Sequence, residues 1–128
     1  YVKGYSLKSG AVATSVAHDS HNIITVGCND DDIAVAVNAI KDSKGGIAVV
    51  ENGKIKALLE LPIAGLMSDE PLTTVNEKLE NAKLSAYELG ADKSIDPFMT
   101  LSFLSLPVIP SLRITTKGVF DAENWKML

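Results

Sequence analysis

At 128 residues, with 46% hydrophobic and 22% charged side chains, the chain has ordinary globular composition and is long enough for one domain that buries roughly two-thirds of its unfolded surface. A net charge of −4 with no basic cluster argues against nucleic acid or an anionic lipid surface as partner. No apolar stretch approaches the roughly 18 residues of a membrane-spanning helix and no basic region opens an apolar signal segment, so no membrane partner is expected and the expected compartment is the cytoplasm.

Cys28, the single cysteine, has no internal disulfide partner, agrees with a reducing compartment and reads as buried strand filler. The chain opens Tyr1-Val2-Lys3 without an initiator Met, which suggests a processed product or a piece of a longer polypeptide.

In chain order, Ala11 to Ala17 and Ile23 to Cys28 read as two β-prone runs of a hairpin or strand-turn-strand unit. Asn29-Asp30-Asp31-Asp32 then precedes Ile33, Val37 and Ile40 at helical spacing. Acidic side chains there complement exposed N–H groups and the macrodipole, which favours a helix start over a metal site. Gly45-Gly46 lacks the spacing of a phosphate loop and reads as the C-terminal cap. Ile47 to Glu51 and Lys54 to Glu60 flank Asn52-Gly53, which readily takes the positive φ angles of a type I′ turn, so a β-hairpin is expected.

Leu61-Pro62-Ile63-Ala64-Gly65-Leu66-Met67 has Pro and Gly where a ladder would be interrupted and reads as an apolar loop or edge. Ser68-Asp69-Glu70-Pro71 starts the clearest helix, with Leu72, Val75, Leu79, Ala82, Ala86 and Leu89 in steps of three and four up to Gly90. Phe98 to Leu104 fits either a helix capped by Asp96-Pro97 or an alternating strand. Pro107 and Pro110 end that element, Leu112 to Thr116 alternates as a strand, and Lys117-Gly118 turns the chain. The tail from Val119 adds a last strand or packs Trp125. The order β-β-α-β-β-α, then a helix or strand and a further strand, predicts a single α+β domain, an antiparallel or mixed sheet covered by two main helices.

Chemistry concentrates in Ser15-Val16-Ala17-His18-Asp19-Ser20-His21-Asn22, which holds both histidines on a connection between strands. His18 and His21 have the spacing of a metal-binding pair, and Asp19 could serve as a ligand, a general base or an orienting group. A closed zinc site would need four ligands, and neither a cysteine pair nor a third histidine exists to complete one. The plainer alternative is a turn in which Asp19 and Asn22 bond backbone N–H groups. No GxSxG elbow supports a serine hydrolase, Cys28 lies in an apolar run without a neighbouring base, and the HxE with PCxxC signature of nucleoside-type zinc deaminases is absent.

Three segments carry a resemblance: Ser15 to Ile23, Leu61 to Ser68, and Asp96-Pro97-Phe98-Met99-Thr100-Leu101-Ser102-Phe103-Leu104-Ser105-Leu106-Pro107-Val108-Ile109-Pro110. In this order they resemble the C-terminal domain of bacterial-type adenine deaminase, of the amidohydrolase superfamily. The resemblance implies hydrolysis of adenine to hypoxanthine and ammonia by a metal-activated water in a (β/α)-barrel, with manganese or iron as the metal. The barrel's histidine motif and catalytic carboxylates are missing here, so the chain is expected to be one domain of the enzyme and inactive alone.

On that reading His18, Asp19 and His21 are candidate catalytic contributors at the barrel mouth, and Ser20 and Asn22 candidate adenine-binding groups. The metal is expected outside this chain, with His18 or His21 supporting its ligands. The expected partners are adenine, the barrel of the same polypeptide and a further copy in a homo-oligomer. The alternative is a non-catalytic domain that shields the site or builds the oligomer, with Leu61 to Met67 and Phe98 to Pro110 as contact surfaces.

Overall fold

The structure is a computed structural model that describes residues 2–18 and 20–128. Four strands, β1 (Ala11–Thr14), β2 (Ile24–Gly27), β3 (Gly46–Glu51) and β4 (Lys54–Glu60), form a sheet of order β2-β1-β3-β4 in which every neighbouring pair is antiparallel. The strand pairs β1–β2 and β3–β4 are the two expected hairpins, but β2 ends at Gly27, so Cys28 lies beyond the strand and is exposed, not buried within it. Because β2 and β3 both run against β1, they run parallel to each other, and α1 (Asp30–Asp42) crosses between them, a connection that hairpin signals alone do not reveal.

Both faces of this sheet are covered. Val12, Ile47, Val49 and Leu59 point to one side, where α2 (Leu72–Glu88) and the short α3 (Pro97–Ser102) close the larger core with Ala82, Ala86, Phe98 and Leu101. The alternate residues Ala11, Ala13, Ala48 and Val50 meet Ala36, Ala39 and Ile40 of α1 on the other. Alanines on both sides of that contact let the helix axis approach the sheet closely, so a small core is still tightly packed.

Local chemistry explains the boundaries. The first strand stops at Thr14, earlier than expected, because the Thr14 hydroxyl accepts the Val16 N–H at 3.0 Å and curls the chain out of the ladder. Asn29 caps α1 by accepting the Asp32 N–H at 2.8 Å, as its sequence predicts. At the other end Ser43 takes the C-cap position, the Gly45 N–H bonds to the Ile40 carbonyl at 2.8 Å, and Gly46 already belongs to β3. Gly45 has φ +128°, and a Cβ there would collide with Gly65 and the Leu61 carbonyl, so the glycine lets the Leu61–Gly65 loop lie against the end of α1.

Ser68 does not cap α2; its hydroxyl accepts the Glu70 N–H at 3.2 Å and shapes the turn before it, while Pro71 stands at the N-cap. The Leu61 to Met67 segment is a loop closed by a bridge between Ile63 and Met67. The ambiguous segment is a helix, because Asp96 accepts the N–H groups of Phe98 and Met99 at 3.0 and 2.9 Å. The rest of the chain forms a separate antiparallel sheet of β5 (Leu112–Thr115), β6 (Gly118–Asp121) and β7 (Lys126–Met127). Both expectations for the tail are met, since Trp125 also packs edge-on against Phe120, ring centroids 5.3 Å apart. Among the described residues no helix is long and apolar enough to cross a membrane.

Candidate functional site

Residues 15–22 leave the end of β1 and are held there by both of the other motif segments. Ser15 is buried; its hydroxyl donates to the Gly65 carbonyl at 2.6 Å and accepts the Gly46 N–H at 2.8 Å, joining the turn to the Leu61 to Met67 loop and to β3. On the other side the His18 N–H donates to the Ser102 carbonyl at 3.1 Å and the Ser105 hydroxyl donates to the His18 carbonyl at 3.3 Å, which ties the turn to the end of α3. Three segments far apart in sequence therefore meet at one end of the four-stranded sheet.

Within the turn, the His21 N–H donates to the Ala17 carbonyl at 2.7 Å and His21 itself takes φ +45°, a left-handed conformation that closes the loop. The Ser20 hydroxyl donates to Asn22 Oδ1. Asn22 is thus engaged by the Ser20 side chain. Asp19 lies outside the described residues.

The two imidazoles engage different neighbours. His18, half-buried, stacks on Phe103 with ring centroids 4.8 Å apart and planes 27° from parallel. His21, exposed, lines a hollow of about 260 Å³ with Ser15, Lys41, Lys44, Ala64 and Gly65. The first contact is with the end of α3 and the second with the end of α1, helices on opposite faces of the sheet. The two imidazoles thus border different helix ends, His18 that of α3 and His21 that of α1. Among the described residues no three His, Cys, Asp or Glu side chains gather to hold a metal ion. The described residues, which leave out Asp19, supply no complete ligand set for the manganese or iron that the resemblance implies.

What the rim offers is hydrogen bonding and a flat apolar surface. His18, His21, Ser20 and Asn22 supply donors and acceptors on one connection, and the partly exposed Phe103 ring supplies a planar face beside them. Sequence reasoning missed the anchors. Ser15 is separated from Gly65 by 50 positions and Ser105 from His18 by 87, distances at which no local spacing pattern carries a signal.

Lysine ion pairs lie away from this rim. Lys83 bonds Asp96 at 3.1 Å and links α2 to α3. Partial burial pushes the Asp96 carboxyl up, but the Met99 N–H, Lys83 and the Phe98 N–H together hold it below its ordinary value. Asp32, buried at the start of α1, accepts from the Gly53 N–H at 2.7 Å, from Asn29 Nδ2 at 2.8 Å and from the Asn52 N–H at 3.3 Å. These bonds, that from Gly53 foremost, hold its carboxyl below the ordinary range. The acidic triplet thus does more than cap, since one member clamps the β3–β4 turn onto α1.

Comparison with known proteins agrees with the motif reading. A family model described as the adenine deaminase C-terminal domain matches residues 1–126. The chain is 50% identical over 127 residues to an adenine deaminase of Bacillus pumilus, covering 99% of this chain and 22% of that protein. It is 54% identical over 123 residues to an adenine deaminase of Desulfatibacillum aliphaticivorans, covering 96% and 21%. With the adenine deaminase of Bacillus subtilis it shares 47% over 125 residues, 98% of this chain and 22% of the relative. The chain spans about a fifth of the length of these relatives, and with a whole-chain family match and identities near one-half it belongs to the adenine deaminase C-terminal domain family.

Proposed function

We propose that the chain serves adenine deamination, the hydrolysis of adenine to hypoxanthine and ammonia in purine catabolism, as the C-terminal part of a longer cytoplasmic enzyme. The observation that carries this reading is the convergence of the three family-like segments at the His18–Asn22 turn, through Ser15 to Gly65 and through His18 to Ser102 and Ser105. The reacting centre, with manganese or iron, belongs to a catalytic barrel outside these residues. Against it the turn supplies His18, Asp19 and His21 to bond the purine, to move a proton or to orient a metal ligand, and Ser20 and Asn22 to bond the purine edge.

A second reading is favoured by the apolar side chains that the two other segments leave exposed, Ile63 and Met67 on one and Phe103 and Val108 on the other. On it the region is an assembly surface that shields the site or joins copies of the enzyme in a homo-oligomer.

The test is adenine turnover and metal content of the longer native protein carrying His18→Ala or His21→Ala. A fall in kcat/KM of about 100-fold or more, the scale of one lost acid–base or positioning group, is expected with metal content and folding unchanged. Turnover equal to that of the unsubstituted protein would assign the turn to assembly.

A further inference from the structure

The turn between β3 and β4 carries the only Asn-Gly pair in the sequence, Asn52-Gly53. Where such a pair is free, it modifies itself. The glycine backbone nitrogen gives up its proton to solvent and attacks the amide carbon of the asparagine side chain. An N–C bond forms, the bond to the side-chain nitrogen breaks, and that nitrogen leaves as ammonia with a proton taken back from solvent. Water then opens the resulting succinimide at either carbonyl and gives aspartate or isoaspartate. One water is consumed and one ammonia released, and nothing is oxidised or reduced. Glycine permits the attack because no Cβ crowds its nitrogen. Asn52 and Gly53 are both exposed, and nothing stands within 4 Å of the place a Gly53 Cβ would take, so solvent reaches the pair freely.

The fold gives the attacking nitrogen a partner. The Gly53 N–H donates to Asp32 Oδ1 at 2.7 Å and the Asn52 N–H to Oδ2 at 3.3 Å. Asp32 is buried at the start of α1, and Asn29 Nδ2, donating to it at 2.8 Å, fixes the carboxylate in place. Both consequences oppose the attack. The Gly53 N–H has to leave a hydrogen bond to a charged group before its nitrogen can turn to the Asn52 side chain. The carboxylate, kept ionised by these bonds and by that from Gly53 above all, also disfavours negative charge on the nitrogen bonded to it. Positive φ angles of 52° at Asn52 and 71° at Gly53 keep the two residues in the hairpin turn that presents both N–H groups to Asp32.

We propose that Asn52 is a latent self-deamidation site and that Asp32 is its guard, holding the nitrogen that would attack. The modification runs in one direction. Isoaspartate adds a carbon to the main chain between the paired residues Glu51 and Lys54 and does not keep their register. Aspartate puts a second carboxylate on the residue whose own N–H binds Asp32. Either product works against the clamp that had prevented it.

The experiment incubates the longer native protein, unsubstituted and as Asp32→Ala or Asp32→Asn, in mildly alkaline buffer. Conversion at Asn52 is followed by peptide mass, with the aspartate and isoaspartate peptides resolved by chromatography. A synthetic peptide of residues 48–57 gives the unguarded rate, and Asn124, exposed but followed by the bulky Trp125, is the internal control. The guard predicts conversion in the unsubstituted protein about tenfold or more slower than in the peptide, the scale on which a reaction is slowed by a charged hydrogen bond that it must first break. Asp32→Ala brings the rate back towards that of the peptide, and Asp32→Asn, which keeps an oxygen acceptor without the charge, lies between; Asn124 is unchanged in all three. Conversion in the unsubstituted protein at the peptide's rate overturns the proposal without recourse to any variant. So does an Asp32→Ala protein, folded by circular dichroism, that converts no faster than the unsubstituted one, which would assign the protection to turn geometry alone. Slower conversion in that variant would show that the carboxylate promotes the attack as a base. Where Asp32→Ala does not fold, the near-isosteric Asp32→Asn decides by the same comparison.

Discussion

Ser15 is the residue on which the geometry of the turn depends. It is buried, and one hydroxyl both satisfies the Gly46 N–H and fills the Gly65 carbonyl, so the loop and the turn are fixed relative to the sheet by a single oxygen. Removing it leaves the buried Gly46 N–H and the half-buried Gly65 carbonyl without this partner. Ser15→Ala is therefore expected to destabilise the chain by about 1–3 kcal/mol, the cost of orphaned buried groups. Urea unfolding measures this as a lower midpoint with an unchanged slope. A midpoint within error of the unsubstituted chain would mean that the loop is positioned by its apolar contacts instead. Tyr5 is a second buried anchor. Its hydroxyl donates to the Pro97 carbonyl at 3.1 Å, which secures the N-terminal segment to α3, and burial, with the nearby Asp96 and Tyr87 adding to it, pushes its pKa well up. The phenol stays protonated and donating throughout the physiological range.

Between elements, the clearest coupling is Asp32, which joins the first turn of α1 to the β3–β4 hairpin through Gly53 and Asn52. Its folded pKa lies below its unfolded one, so the stabilisation is present above the unfolded value and is lost as pH falls through the folded value. Asp32→Asn removes the charge at every pH. Its deficit in urea midpoint should be full at pH 7 and should shrink below the ordinary aspartate pKa of about 3.9. A deficit constant from pH 7 down to pH 3 would show that the carboxylate's charge contributes nothing and that only its shape matters. This clamp also shows what sequence reveals of the fold. The Asn29 cap, the Asn52-Gly53 turn and the helical spacing of Leu72 to Leu89 are local signals, and the structure forms each of them. The reach of Asp32 across 21 positions to Gly53 is not local, nor is the crossing of α1 between parallel β2 and β3. Both follow from packing Ala36, Ala39 and Ile40 against Ala11, Ala13 and Ala48, and alanine-rich strands read weakly as strands. Phe98 to Leu104 was undecidable for a different reason. Its apolar residues satisfy both periods, and only the side chain of Asp96, bonded to the Phe98 and Met99 N–H groups, selects the helix.

For the whole molecule, a three-layer core carries at one end a turn anchored through Ser15 and His18 that leaves Ser20 and His21 exposed, and beside it a small sheet with exposed apolar side chains on both sides. The turn was legible as the place where chemistry would sit, because it holds both histidines. Its anchors, the Phe103 neighbour of His18 and the α1-end neighbours of His21 depend on long-range contacts and emerge only from the fold. Such an arrangement suits a domain that completes a site elsewhere and does not contain one. The most direct measurement is the reactivity of His18 and His21 toward diethyl pyrocarbonate in the longer native protein, mapped by peptide mass, with and without saturating hypoxanthine. If the turn meets the purine, hypoxanthine slows modification of His18, His21 or both; modification of both at the same rate with and without the product would contradict a role for this turn in binding the purine.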